Sequence, residues 1–229
     1  MKYLCNKPLI SIHIPKCGGT SFSEVLKKWF GERLYKHYFD EKKNIRPGRH
    51  ELKKGMFRRV FKEGICIHGH FNKERQIGVM DYYPEVDQFI TILRDPFEIA
   101  ISNYFYVKKM GENSFRNGKP CRLDEHYKSI NEYMKNRKSY LLNFMPYEMT
   151  MDSYKDVIEK YFVYIGIVED LQTSINILAE RLSFSPIQVN RLNISGRSEA
   201  ILNDIKEEFM ENNKLEYAIY NYALRTYKD

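Results

Sequence analysis

The sequence predicts an α/β chain: a central parallel sheet of about four or five strands flanked by helices. Three observations predict it. Short, nearly continuous apolar runs at residues 9–14, 65–67, 88–93 and 162–168 read as strands buried on both faces. Amphipathic stretches with helical spacing lie between them. The first run passes through a glycine-containing turn directly into such a stretch, as a βα unit does.

Leu9, Ile10, Ile12 and Ile14 make the first strand, which ends at Pro15. Lys16, Cys17, Gly18, Gly19, Thr20 and Ser21 follow, and then an amphipathic helix carrying Phe22, Val25, Leu26, Trp29 and Phe30. Gly18 and Gly19 permit backbone conformations that a side chain forbids and let the chain pass close to a ligand. Thr20 and Ser21 are placed to cap the helix or donate hydroxyls. The unpaired N–H groups of the first helical turn, with the positive end of the dipole, make an anion site. Lys16 adds a full charge, so the favoured ligand is a phosphate or a group like it. A nucleoside-triphosphatase loop needs Gly-Lys-Ser/Thr after its glycines. Here the lysine precedes them.

Residues 65–71 read as a further strand ending in His68-Gly69-His70. Residues two apart on a strand share a face, but a turn at Gly69 swings His70 away from His68. Such a pair serves as structural histidines, as metal ligands or as proton acceptors. No Asp, Glu or His set stands nearby in sequence to complete a metal site. Residues 88–95 form another strand that closes on Arg94-Asp95 before Pro96, and Pro96 suits the first helical position. Arg94 therefore stands at the carboxyl edge of the sheet, where open α/β folds bind ligands, with Ser102 two turns further along the helix. A guanidinium fork matches phosphate oxygens.

Residues 111–125 read as a loop, followed by a short helix around Ile130, Tyr133 and Met134. Residues 162–170 read as a strand running into a helix (Leu171, Ile175, Leu178, Leu182). Residues 190–198, polar and holding Gly196, read as a loop, and the stretch from Phe209 to Leu224 as one amphipathic helix. The basic residues are densest at 42–59, either a solvated face or a rim for an anionic partner.

Pro15-Lys16-Cys17-Gly18-Gly19-Thr20-Ser21 resembles the 5′-phosphosulfate loop of sulfotransferases that use 3′-phosphoadenosine 5′-phosphosulfate (PAPS), in particular the carbohydrate branch. Arg94-Asp95-Pro96, Ser102 and Tyr104 resemble the 3′-phosphate motif of the same family, and His68-Gly69-His70 the catalytic segment of its uronyl 2-O-sulfotransferases. The resemblance runs from about Leu9 to Leu224 and implies a single P-loop-like sulfotransferase domain over residues 1–229. It implies PAPS as cofactor, adenosine 3′,5′-bisphosphate as product, and no metal. Lys16 and the N–H groups of residues 18–21 then face the phosphosulfate, and Arg94 and Ser102 hold the 3′-phosphate. His70 is the base, and His68 orients it or contacts the transferring group. Asn193, Ser195 and Arg197 lie where the family closes a loop over the cofactor. The family often carries another arginine between the proline and the serine. Residues 97–101 contain none, so that contact is absent or comes from elsewhere.

Composition frames these expectations. The chain has 229 residues, 43% of them hydrophobic, with 18 tyrosines and 14 phenylalanines to pack helices on the sheet. Its net charge of +7 favours anionic partners. The 4 cysteines have neither CxxC spacing nor a zinc-finger pattern, so free thiols in a reducing compartment are expected. No signal peptide is visible, and no stretch reaches the ~18–20 apolar residues of a membrane helix. The animal Golgi members carry an N-terminal anchor, so the expectation is a cytoplasmic, microbial enzyme without a transmembrane segment. Its expected partner is a carbohydrate or other hydroxyl-bearing acceptor and not nucleic acid. Two rivals stand beside it: an ATP-dependent phosphotransferase of related fold, with Asp95 as its one evident magnesium carboxylate, and a non-catalytic module binding polyanions through its basic surface.

Overall fold

The computed structural model describes residues 1–52, 64–121, 123, 126–135, 137–189 and 199–228. In chain order the main elements are β1 (Leu9–Ile12), α1 (Gly19–Phe30), β2 (Leu34–His37), β3 (Cys66–Gly69), α2 (Val79–Tyr82), β4 (Phe89–Leu93) and α3 (Pro96–Met110). A small hairpin follows, β5 (Phe115–Arg116) and β6 (Lys119–Pro120), then α4 (Ile130–Met134) and α5 (Tyr154–Tyr161). The chain continues through β7 (Phe162–Ile167), α6 (Leu171–Leu182), α7 (Asn203–Asn212) and α8 (Lys214–Thr226).

The central sheet has 5 strands in the order β2-β3-β1-β4-β7, and all four pairings are parallel. Every residue of β1, β3, β4 and β7 is buried, which is why these strands appear in the sequence as continuous apolar runs. Several polar side chains inside the sheet find partners there. Ser11 Oγ meets His68 Nδ1 at 2.9 Å, and Thr91 Oγ1 donates to the Ile12 carbonyl at 2.9 Å. The fully buried Gln88 donates to the Leu4, Lys7 and Pro8 carbonyls and accepts from the Leu4 N–H, pinning the N-terminal segment beside β4.

Helix α1 buries Phe22, Val25, Leu26, Trp29 and Phe30, the predicted apolar face, and stops at Gly31 in the left-handed region (φ 53). Asp95 caps α3, its Oδ1 accepting from the N–H groups of Phe97 and Glu98, with Pro96 in the first turn. A second apolar cluster joins Phe97, Ala100, Ile101 and Tyr104 of α3 to Tyr133 and Met134 of α4 and to Phe209 and Tyr217 of the last two helices.

Three elements differ from the sequence reading. β2 is an additional strand: an edge strand of mixed polarity, Leu-Tyr-Lys-His, with no apolar run to mark it. The expected loop at 111–125 contains the β5–β6 hairpin. The expected single C-terminal helix breaks at Asn213, whose buried amide donates to the Phe209 and Arg137 carbonyls. Among the described residues no helix is long and apolar enough to cross a membrane.

Candidate active site

The sheet order places a topological switch at β1: its neighbours β3 and β4 lie on opposite sides, so the connections leave it in opposite directions. The residues that follow the carboxyl ends of β1, β3 and β4 therefore share one crevice. They are the turn at 13–18, His70, and Arg94.

The turn after β1 holds Lys16 at φ 70 and Gly18 at φ 72, both left-handed, and Gly18 serves as the N-cap of α1 without a side-chain cap. Thr20 and Ser21 thus lie inside the first helical turn and do not cap it. Gly19 is glycine for a specific neighbour: a Cβ there would stand 1.6 Å from His13 Nε2. The imidazole of His13, with Nε2 nearest, fills the space beside the bare Cα at the mouth of the helix. Cys17 is buried, and burial drives its thiol pKa up, so it is no nucleophile. Burial and the Arg94 charge hold the Lys16 pKa down to about 8, and its Nζ lies 3.8 Å from the centroid of the Tyr106 ring.

Arg94 reaches this turn directly. Its Nη1 donates to the Lys16 carbonyl at 3.2 Å, while Nη2 faces Glu98 Oε2 at 3.5 Å. The two anion-binding segments read from the sequence are therefore adjacent. Ser102 is buried on α3 two turns beyond Arg94, and its neighbour Asn103 donates through Nδ2 to the Tyr133 hydroxyl at 3.0 Å. Asp95 is committed to the helix cap and to the Tyr217 hydroxyl, which donates to Oδ1 at 3.2 Å.

Three histidines line the other side. His68 is fully buried on β3 with Nδ1 on Ser11. His13 stacks on His68 (centroids 5.3 Å, planes 9° apart) and lies 4.4 Å from His70. The His13 Nδ1 and the Tyr38 hydroxyl are 3.0 Å apart. His70 follows β3, donates its backbone N–H to the His37 carbonyl at 3.0 Å, and packs 4.8 Å from Tyr38. The Nε2 atoms of His68 and His70 are buried with no hydrogen-bond partner among the described residues. Burial, with the positive charge of its neighbours, lowers the pKa of His70 to about 3 and of His13 to about 3, so both imidazoles are neutral at physiological pH. Gly69 does separate His70 from His68, and His13 occupies the space between them.

His13, Tyr38 and Tyr140 were not singled out from the sequence. His13 alone left a trace there: with Ser11 it forms a polar pair two residues apart in an otherwise apolar strand. Tyr140, from a distant segment, donates its hydroxyl to the Pro15 carbonyl at 3.4 Å and covers the turn. Asn193, Ser195 and Arg197 lie outside the described residues, as does the 53–59 part of the basic run. The described part of that run is tied to the protein: Arg46 donates to the Gln76 carbonyl, and Arg49 pairs with Glu85 and the Tyr82 carbonyl. Among the described residues no group of three or more His, Cys, Asp or Glu is arranged to hold a metal ion.

A cationic turn at a helix N-terminus, a guanidinium beside it and neutral imidazoles opposite can bind a multiply charged oxyanion and accept a proton next to it. The family model described as "Sulfotransferase family" matches residues 5–223. Among solved structures, one similar chain is mouse sulfotransferase SULT7A1 complexed with PAP, at 14% identity and a TM-score of 0.45. The match covers 82% of this chain and 62% of that one. No curated protein sequence matches.

Proposed function

The chain belongs to the sulfotransferase family, and from that premise we propose that it moves the sulfuryl group of PAPS to a hydroxyl of a carbohydrate acceptor, with residues 1–229 forming one catalytic domain. The observation that carries this reading is the 3.2 Å hydrogen bond from Arg94 to the Lys16 carbonyl, which sets the two anion-binding segments side by side at the switch point.

The site fits a nucleotide with two anionic ends. Lys16 and Gly18, both left-handed, flank Cys17 in the turn that enters α1, and such an alternation of backbone hand is the form of an anion nest. Arg94 provides a fork at the adjacent strand end. When bound, the nucleotide supplies the activated sulfuryl group and a phosphate leaving group. Lys16 and the N–H groups at residues 18–21 place positive charge where that leaving oxygen gains negative charge. Arg94 and Ser102 hold the 3′-phosphate. His70 accepts the acceptor's hydroxyl proton at Nε2, a nitrogen with no hydrogen-bond partner among the described residues. Its lowered pKa keeps it in the accepting form, and an arriving anion raises that pKa toward the value at which it holds the proton. His68, fixed by Ser11, supports His13, and His13 packs against His70 and orients it.

Titration calorimetry with adenosine 3′,5′-bisphosphate, ATP–magnesium and heparin, paired with radiolabelled sulfate transfer to a panel of oligosaccharides, tests the proposal. Tight binding of the bisphosphate with transfer to a sugar hydroxyl is expected. Preference for ATP–magnesium, or heparin binding that falls steeply with salt and shows no nucleotide preference, overturns it.

A further inference from the structure

Arg137 belongs to none of the segments that the sequence marks as functional. Its guanidinium stacks 4.5 Å from the centroid of Tyr133, and its Nε is buried with no acceptor among the described residues. An arginine stays charged, and a buried donor without an acceptor is costly. The fold nevertheless fixes this residue in place. Its N–H donates to the Met134 carbonyl at 3.0 Å. The buried Asn213 donates to its carbonyl at 3.4 Å and accepts from the Ser139 N–H at 2.6 Å.

The neighbours of Arg137 locate it. Tyr133, beneath the guanidinium, accepts a hydrogen bond from Asn103, the residue next to Ser102. Tyr140, three residues further on, donates to Pro15, the residue before Lys16, whose carbonyl Arg94 holds. The Tyr140 hydroxyl lies in the field of both Arg137 and Arg94. Arg137 is thus joined through Tyr133 to the helix that carries Ser102, and its charge reaches Tyr140, which bonds the turn that Arg94 holds. Charge gives the reason for it. Glu98, 3.5 Å from Arg94, offsets the one guanidinium that the sequence assigns to that corner, whereas no described carboxylate pairs with Arg137.

We propose that Arg137 is a second guanidinium contact for the nucleotide's 3′-phosphate and sets the preference for a bisphosphate over a monophosphate. The inference rests on the PAPS reading above. An unpaired donor held rigid in the free protein is a preorganised one, so binding supplies its acceptor with little ordering cost.

Titration calorimetry on the intact protein tests this, with adenosine 3′,5′-bisphosphate and adenosine 5′-monophosphate as probes. Arg137→Ala is expected to weaken bisphosphate binding by roughly tenfold to a hundredfold, as for a lost charged hydrogen bond, and to leave monophosphate binding within about twofold. Arg137→Lys, which keeps the charge but loses the fork, is expected to fall between. Should Arg137→Ala not fold, Arg137→Gln keeps the stem over Tyr133 and removes the charge. Equal losses for the two nucleotides, or none in a folded variant, overturn the assignment while the PAPS reading stands. A wild-type protein that does not bind the bisphosphate overturns both.

Discussion

Lys16 occupies a backbone conformation, φ 70, that a residue with a side chain adopts only where a turn demands it, and its ammonium is partly desolvated beside Arg94. On the proposed reading this turn presents the Lys16 ammonium to the leaving group. Lys16→Ala is therefore expected to lower turnover at saturating cofactor by ~10²–10³, the usual loss of one oxyanion donor. Near-normal turnover would remove Lys16 from the leaving-group position. The lowered pKa of about 8 gives a second signature. The ammonium is lost as pH rises through that value, so bisphosphate affinity should decline on the alkaline side, with a limiting slope of about tenfold per pH unit. The decline should vanish in Lys16→Ala, and a wild type whose affinity is flat between about pH 7 and 9 contradicts the assignment. His70→Ala should abolish transfer and retain bisphosphate binding; joint loss of binding and fold makes the imidazole a structural group. The residues of this site that were legible are those whose chemistry is local. Lys16, Arg94 and Ser102 sit in short strings at strand ends, and strand ends are where α/β sheets bind ligands. His13 and Arg137 were not legible as candidate site residues, because what fixes each is a neighbour distant in sequence: His68 for the one, Asn213 for the other.

The unit formed by β1, its turn and α1 depends on a fit between one ring and one missing side chain. His13 occupies the space that a Cβ on Gly19 would need, at 1.6 Å from Nε2. Gly19→Ala must push the imidazole or the helix start aside, an overpacking that typically costs about 1–3 kcal/mol. It should also loosen the nest and with it bisphosphate binding. Adding His13→Ala restores the room, so the double variant is expected to regain much of the stability lost by Gly19→Ala. A double-mutant cycle by urea unfolding then reads a coupling of roughly 0.5–3 kcal/mol. Strict additivity would show that the two residues do not compete for that space. At this scale the four fully buried strands were readable because burial on both faces writes itself as a continuous apolar run. The edge strand β2 was not, since Tyr35 and Lys36 keep contact with solvent and break the run. The division of the last helix at Asn213 was equally hidden. An asparagine inside an amphipathic pattern looks like a surface residue, and only the carbonyls of Phe209 and Arg137 make it a buried junction.

Across the whole molecule the sheet is closed at one end by imidazoles that the fold keeps uncharged. His37 and His68 are 0% exposed, His13 and His70 are partly buried, and burial lowers the pKa of all four, to about 4 for His37. Each takes up a proton near pH 6.5 in the unfolded chain and only at much lower pH in the folded one. Below about pH 6.5 the unfolded state thus binds more protons, and stability must fall as pH falls, down to the folded values. For one imidazole that stays neutral, the loss at about pH 5 amounts to ~2 kcal/mol, so several together rival the margin of a typical domain. The protein should therefore hold a steady urea midpoint from about pH 7 to 8 and lose it sharply between about pH 6.5 and 4. His37→Phe isolates one contribution. The phenyl ring preserves the stack on Phe71, now 4.8 Å between centroids, and leaves nothing to protonate, though the Tyr83 hydroxyl 3.3 Å from Nδ1 gives up that partner. The variant starts from a lower midpoint at pH 7 for that reason, and its midpoint should then decline less between pH 6.5 and 4 than that of the wild type. If the two proteins lose stability in parallel, the acid sensitivity lies outside the imidazole at the end of β2, and burial does not hold that ring neutral.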